Sequence, residues 1–208
     1  MLTGYNSLFG MLAGLFAFLG IGRYILTILR GSSRPKTSTW FIWSIVGLIT
    51  IFSMYSTGSR DTLWTPIAYF ICFFIVFFLS LYKQRGLYFD LFDKICIIMA
   101  LGAVLVWAYT ANALYALLIS IFLDFVGALP TIRKLILKEG GEDFISWGLI
   151  CIGNVFNVFA VSRFEFSELL YPVYMLKINV IIFVLIVLTK PQKVCDVVEF
   201  DAEKVKRD

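Results

Sequence analysis

The chain has 208 residues and a formal net charge of +4; 60% of its residues are hydrophobic and only 15% are charged. A soluble domain is usually about 45–50% apolar and about 25% charged, so this composition predicts an integral membrane protein. The chain has no histidine, and its four cysteines have no CxxC spacing, which excludes a zinc or haem site with histidine ligands and argues against a cysteine metal site. We therefore expect no metal and no cofactor.

Seven hydrophobic stretches follow one another along the chain, each close to the roughly 20 residues that an α-helix needs to cross a bilayer. Because only helices satisfy their own backbone hydrogen bonds in lipid, we predict an all-α polytopic membrane protein with seven transmembrane helices. The predicted spans are Asn6–Arg30, Thr39–Tyr55, Leu63–Tyr82, Leu91–Tyr109, Ala113–Leu135, Phe144–Val161 and Leu169–Thr189.

The first three stretches are echoed by the last three. A shift of 107 residues aligns Gly20 with Gly127, Ile25 with Ile132, Trp40 with Trp147, Phe52 with Phe159 and Lys83 with Lys190. We predict two three-helix repeats, residues 1–86 and 111–192, joined by a linker helix in residues 87–110 and followed by a polar tail at 193–208. Since three is odd, the linker helix restores the chain direction, which gives the parallel-repeat arrangement of some carriers.

Thirteen of the 18 Lys and Arg residues fall in loops or tail segments on one side of the predicted membrane, and two, Arg60 and Arg163, fall on the other. Cytoplasmic loops carry an excess of these residues. We therefore expect an outside N-terminus and a cytoplasmic C-terminus. The start of the chain has no signal-peptide pattern, so we expect a retained first helix and a plasma or inner membrane location.

A short motif in the fifth stretch carries a family resemblance. It runs from Asp124 through Gly127 to Pro130-Thr131, continues into Ile132-Arg-Lys134 and a polar loop, and ends at Ser146-Trp147. With the duplicated plan, this motif resembles the SWEET and PQ-loop superfamily, whose members place a Pro-Gln pair near the inner end of the first helix of each repeat. Only Pro130 matches that pair here. The resemblance implies a carrier of a small polar solute with Pro130 as a hinge; vitamin-precursor carriers of the PnuC type and KDEL receptors share the general plan.

Three ionisable residues lie at membrane depth, where a charge costs several kcal/mol and usually faces a cavity or a partner. These residues are Arg23, Asp124 and Lys177. One interpretation of Asp124 is functional: a proton or cation site, or a clamp for a polar solute. The other is a structural ion pair with Lys177 or Arg23, and the sequence leaves both open. Asp93 and Lys94 lie near a span end, where we expect them to reach the headgroups by snorkelling.

Amides and one indole complete the predicted site. Asn154 and Asn157 are three residues apart and so share a helix face, and Asn179 lies in the seventh stretch. An amide offers both a donor and an acceptor to a solute, although an interhelical hydrogen bond explains each Asn alone. Trp43 is a candidate aromatic wall. The other four tryptophans fall near span ends, where we expect interfacial anchors: Trp40, Trp64, Trp107 and Trp147.

The sequence thus favours a carrier that works by alternating access between two three-helix bundles. Its partners are expected to be the lipid bilayer and a small polar solute that is sugar-like, amino-acid-like or a vitamin precursor. The alternative is a receptor or accessory subunit with the same fold and no transport. No nucleophile motif, P-loop or dinucleotide fingerprint is present, so we expect neither an enzyme nor a nucleic-acid partner; homo-oligomerisation stays open.

Overall fold

The structure is a computed structural model that describes residues 3–56, 64–83, 89–109, 113–161 and 166–189. The predicted all-α fold is confirmed for these residues, and the predicted tail at 193–208 lies outside them. They form seven helices: α1 (Thr3–Leu29), α2 (Thr37–Ser56), α3 (Trp64–Lys83), α4 (Leu91–Tyr109), α5 (Ala113–Ile136), α6 (Phe144–Phe159) and α7 (Phe166–Leu188). We call α1–α3 the first half and α5–α7 the second half.

Three of these helices are apolar and long enough to cross a membrane, namely α1 through Leu8–Leu29, α4 through Leu91–Tyr109, and α7 through Leu169–Leu188. The apolar parts of α2, α3 and α6 are shorter. Large apolar side chains such as Phe18, Ile98 and Leu105 are exposed on the outer faces, which suits contact with lipid rather than water. The structure therefore supports a membrane-embedded protein, while the count of seven spans stays a prediction.

Polar contacts show which helix ends lie together. The Lys83 ammonium at the end of α3 donates to the Leu29 carbonyl at the end of α1, 3.1 Å away. Lys36, just before α2, lies 3.0 Å from the Asp93 carboxylate near the start of α4. The ends of α1, α3 and α5 thus meet the starts of α2, α4 and α6, and we call this region the charged end. Consecutive helices among these six run in opposite directions.

The two halves contact each other by an exchange of partners. Within each half the third helix packs on the second, α3 on α2 and α7 on α6, and it also contacts the first. Between the halves, α1 packs on α6 while α5 packs on α2. Helix α4 lies against α5 and, less extensively, α2. The first helix of each half therefore packs on the second helix of the other.

Glycines mark the closest approaches between the halves. A Cβ atom at Gly20 in α1 would lie 2.8 Å from the Ile150 side chain in α6, and one at Gly127 in α5 would lie 2.7 Å from Trp43 in α2. Residues 43 and 150 are separated by the same 107 positions as residues 20 and 127. Because neither glycine has a side chain, the helices at these two contacts can approach this closely.

The connection between α1 and α2 touches the connection between α5 and α6. The Arg34 backbone N–H donates to the Gly141 carbonyl at 2.6 Å. Gly141 has a φ of +78°, which disfavours other residues, and a Cβ there would lie 3.1 Å from the Arg34 Cβ. Arg34 and Gly141 are also 107 positions apart, so each residue contacts the one with which the predicted repeat aligns it.

Candidate functional site

A cavity of about 380 Å³ lies between the two halves. Among the described residues, every helix except α4 contributes to its lining. Small residues of α1, including Gly10, Ala13 and Gly14, form one wall and leave space that larger side chains would fill. The volume falls at the lower end of the range for small-molecule sites.

Aromatic rings form the part of the cavity nearest the charged end. The Trp40 ring stacks on Tyr24 at 5.3 Å between centroids and meets Trp43 edge-on at 5.2 Å. Trp43 in turn lies 6.3 Å from Trp147. Trp40 and Trp147 are buried, so the expectation that they are interfacial anchors is wrong. Each lies three or four residues into its helix, on the face that packs inward rather than the face toward lipid.

Asp124 is the acidic residue of the described lining. It is 8% exposed, and its Oδ2 accepts a 2.8 Å hydrogen bond from the Tyr174 hydroxyl on α7. The alternative of an ion pair with Arg23 is wrong, because the Arg23 guanidinium binds Asp143. The alternative of a pair with Lys177 is wrong as well, since Lys177 makes no ion pair with any described residue.

Lys177 lies on an exposed face of α7 and does not line the cavity. The cavity-facing residues of this helix, such as Tyr171, Met175 and Ile178, recur every three or four positions. That spacing defines one helix stripe, and position 177 falls on the other side. The expectation that Lys177 shares the site with Asp124 is therefore wrong.

All three predicted asparagines line the cavity. Asn154 donates through Nδ2 to the Ile150 carbonyl at 3.0 Å, and Asn179 donates to the Met175 carbonyl at 2.8 Å. Each bond uses one of the two N–H groups of its amide within its own helix, which leaves the amide oxygen and the second N–H for another partner. Asn157 makes no side-chain hydrogen bond with a described residue. A solute with hydrogen-bond donors could bond to these oxygens.

Trp43 lies in the cavity lining and Pro130 lies inside α5. Their roles as an aromatic wall and a hinge stay predictions. Trp43 lines the cavity, and its indole N–H donates to the Asp124 backbone carbonyl at 3.2 Å. This bond ties α2 of the first half to α5 of the second. Pro130 is buried inside α5, where it cannot donate to the carbonyl four residues earlier, so the helix is locally weaker in backbone bonding.

A buried ion pair closes the cavity beyond the aromatic rings. Glu142 and Lys134 lie 2.8 Å apart, with side chains only 1% and 6% exposed. The Glu142 carboxylate also accepts from the Tyr24 hydroxyl at 2.5 Å and from the Trp147 indole at 3.1 Å. Lys134 donates in addition to the Arg34 carbonyl. Three bonds therefore converge on Glu142, in the segment between α5 and α6, and a fourth joins Lys134 of α5 to the connection between α1 and α2.

Asp143 connects this segment to α1. Its carboxylate lies 2.8 Å from the Arg23 Nε and accepts from the Ser146 backbone N–H at 2.9 Å, which caps the start of α6. Partial burial on its own would raise the pKa of Asp143. Hydrogen bonds from Arg23 and Ser146 outweigh that effect and hold the pKa below its ordinary value, so the carboxylate is ionised at neutral pH.

A second ionic cluster lies at the charged end, outside the cavity. Asp93 is fully buried, accepts from the Ser38 hydroxyl at 2.9 Å and pairs with Lys36. The expectation that Asp93 reaches the headgroups is therefore wrong, whereas Lys94 is exposed. This cluster joins the start of α2 to the start of α4.

Glu142, Lys134 and Tyr174 were missed by reasoning from the sequence. Glu142 lies in a short polar connection, and nothing in its local sequence indicates burial. The spacing between Lys134 and Glu142 does not indicate a pair, because a bend separates them. Tyr174 was detectable, since it lies three residues from Tyr171 and would share its helix face. Among the described residues, no group of three or more Cys, Asp or Glu could hold a metal ion.

No protein-family model, curated protein or solved structure is similar enough to this chain to count as a match. The cavity geometry and the sequence are therefore the basis for its function.

Proposed function

We propose that the chain is a membrane carrier for a small polar solute. The observation that carries the proposal is the cavity between the two halves, because it combines polar and apolar walls in a membrane-embedded bundle. Asp124, Asn154, Asn157 and Asn179 line it. Ionisable and amide side chains are costly at membrane depth and usually mark a solute pathway or an interhelical bond.

Seven spans in two parallel repeats are part of the proposal. The exchange of helix partners, α1 with α6 and α5 with α2, is what a two-fold relation between the halves requires. Contact between Arg34 and Gly141, which are counterparts, is expected where such an axis passes. The basic residues at the charged end support a cytoplasmic location for this end and an outside N-terminus. The resemblance to the SWEET and PQ-loop superfamily agrees with this arrangement.

In the proposed cycle, the two halves rock against each other and open the cavity to one side at a time. The structure is closed at the charged end. Opening that end breaks bonds between the halves, including Arg23–Asp143 and Tyr24–Glu142. Glu142 keeps its bond to Lys134, since both belong to the second half. Its charge therefore stays paired throughout, and Pro130 supplies a weak point in α5 between Asp124 and Lys134.

Uptake into vesicles tests the proposal. A thermal-shift screen over sugars, amino acids and vitamin precursors selects a solute that stabilises the purified protein. Asp124→Asn and Asn157→Ala should each reduce uptake of that solute by at least about tenfold, because a lost bond of about 1.4 kcal/mol has that effect. Lys177→Ala is the matched control and should transport normally, since Lys177 lies outside the cavity.

Normal uptake by both Asp124→Asn and Asn157→Ala would contradict the site. A solute that binds in the cavity but never enters vesicles would contradict transport itself. That second result would instead support a receptor or accessory subunit with this fold.

A further inference from the structure

The polar groups that line the cavity indicate which charge a bound solute would carry. Among the described lining residues there is one carboxylate, that of Asp124, and no lysine or arginine. We propose that the solute is a small organic cation bearing N–H or O–H donors, held between Asp124 and the aromatic rings. The inference rests on the proposed carrier function and names its substrate class.

Asp124 lacks a positively charged partner among the described residues. Its described side-chain bond is the one from the neutral Tyr174 hydroxyl. The nearest expected cations are used elsewhere or face away: Arg23 binds Asp143, and Lys177 is exposed. A buried carboxylate without a counter-charge is costly. A cationic solute would supply the missing charge at the place where it is needed.

Three indole rings line the same cavity as this carboxylate. Trp43 is bonded to the Asp124 backbone carbonyl, and it contacts both Trp40 and Trp147. All three line the cavity. The face of an indole attracts cations, and the attraction increases when water is excluded. The rings therefore favour the same sign of charge as the carboxylate.

The amides agree with a solute that donates hydrogen bonds. Asn154 and Asn179 each use one N–H on the Ile150 and Met175 carbonyls, so each still offers its amide oxygen and a second N–H. Asp124 also presents oxygen. An anionic solute would meet the like charge of Asp124, whereas an ammonium or amide-bearing cation would meet the opposite charge and amide oxygens that can accept its N–H bonds.

Matched pairs of cations and uncharged isosteres test the inference on the purified full-length protein. The planar pair is 1-methyl-3-carbamoylpyridinium and 3-methylbenzamide. The tetrahedral pair is choline and 3,3-dimethylbutan-1-ol. Tryptophan fluorescence reports binding, since three of the five tryptophans line the cavity, and a thermal shift provides a second readout.

We expect the cation of at least one pair to bind at least tenfold more tightly than its isostere. Asp124→Asn should abolish that preference, whereas Asp124→Glu, which keeps the charge, should retain part of it. Lys177→Ala should leave it unchanged. Circular dichroism and the melting temperature of each variant separate loss of binding from loss of folding.

Equal binding within both pairs, including no binding by any of the four compounds, would overturn the inference. Retention of the cation preference in folded Asp124→Asn would do so as well. Failure of the carrier proposal has a different outcome: the preferred cation binds but does not enter vesicles. Uptake of a neutral sugar without cation binding would contradict the inference and leave the carrier intact.

Discussion

The absence of a side chain at the single residue Gly127 lets α5 pack closely on α2. An added Cβ would lie 2.7 Å from Trp43 Cδ1 and 3.1 Å from Ile42 Cγ2, and both side chains are buried. Gly127→Ala should therefore destabilise the protein by about 1–3 kcal/mol, the usual cost of overpacking. A lower apparent melting temperature in detergent is the measurement.

Gly22→Ala is the control for Gly127→Ala. Nothing lies within 4 Å of a Cβ built at Gly22, and alanine favours a helix over glycine by about 1 kcal/mol. The melting temperature of Gly22→Ala should be unchanged or higher. A Gly127→Ala protein as stable as Gly22→Ala would contradict the close packing of α5 on α2.

Single residues also show what the sequence could predict of the site. Asp124, Asn157 and Asn179 were selected because polar groups at membrane depth need partners, and all three line the cavity. Lys177 satisfied the same criterion and lies on the opposite face. The position of a residue along a span indicates its depth in the membrane. The helix face on which the residue lies does not follow from its depth, because an exposed lysine at that depth can extend its side chain toward the interface.

The segment between α5 and α6 is the element that closes the charged end. Removing the charge of Glu142 leaves Lys134 buried without a counter-charge, which typically costs about 3–5 kcal/mol. Glu142→Gln should therefore lower the stability measurably in chemical or thermal unfolding. Glu139→Gln is the matched control, because Glu139 is exposed, and it should change stability by less than about 1 kcal/mol.

The double variant Glu142→Gln/Lys134→Met distinguishes a paired charge from general disruption. Because both charges are removed together, it should recover a large part of the stability lost in Glu142→Gln. Equal destabilisation of the single and double variants would show that the ion pair is not the source of the effect.

Helix positions were more predictable than helix faces. Each predicted span corresponds to one observed helix, since apolar run length and breakers such as Gly31 and Gly141 are local properties. Trp40 and Trp147 were assigned to the interface although both are buried. The sequence aligns these two tryptophans through the predicted repeat. Their burial was not visible in the sequence, because it depends on Tyr24 and on packing between the halves.

In the whole molecule, the two halves contribute different chemistry to the cavity. The second half supplies Asp124 and the three asparagines of the described lining, while the first supplies Trp40 and Trp43. Bonds from α1 to the α5–α6 segment hold the charged end closed. The proposed rocking of the halves therefore exposes the cavity at the charged end and at the opposite end in turn.

Chemical labelling of the cavity from each side of the membrane tests this alternation. The four native cysteines are replaced by alanine, and Asn154→Cys places one thiol in the cavity lining. A membrane-impermeant thiol reagent is then applied to each side of sealed vesicles of known orientation. The Glu142→Gln change is added to weaken the closed charged end.

We expect labelling from both sides, with Glu142→Gln raising the labelling rate from the charged end and lowering it from the opposite side. Labelling from one side alone in both backgrounds would contradict alternating access. An increase from the charged end without a decrease from the other side would indicate a continuous pore instead.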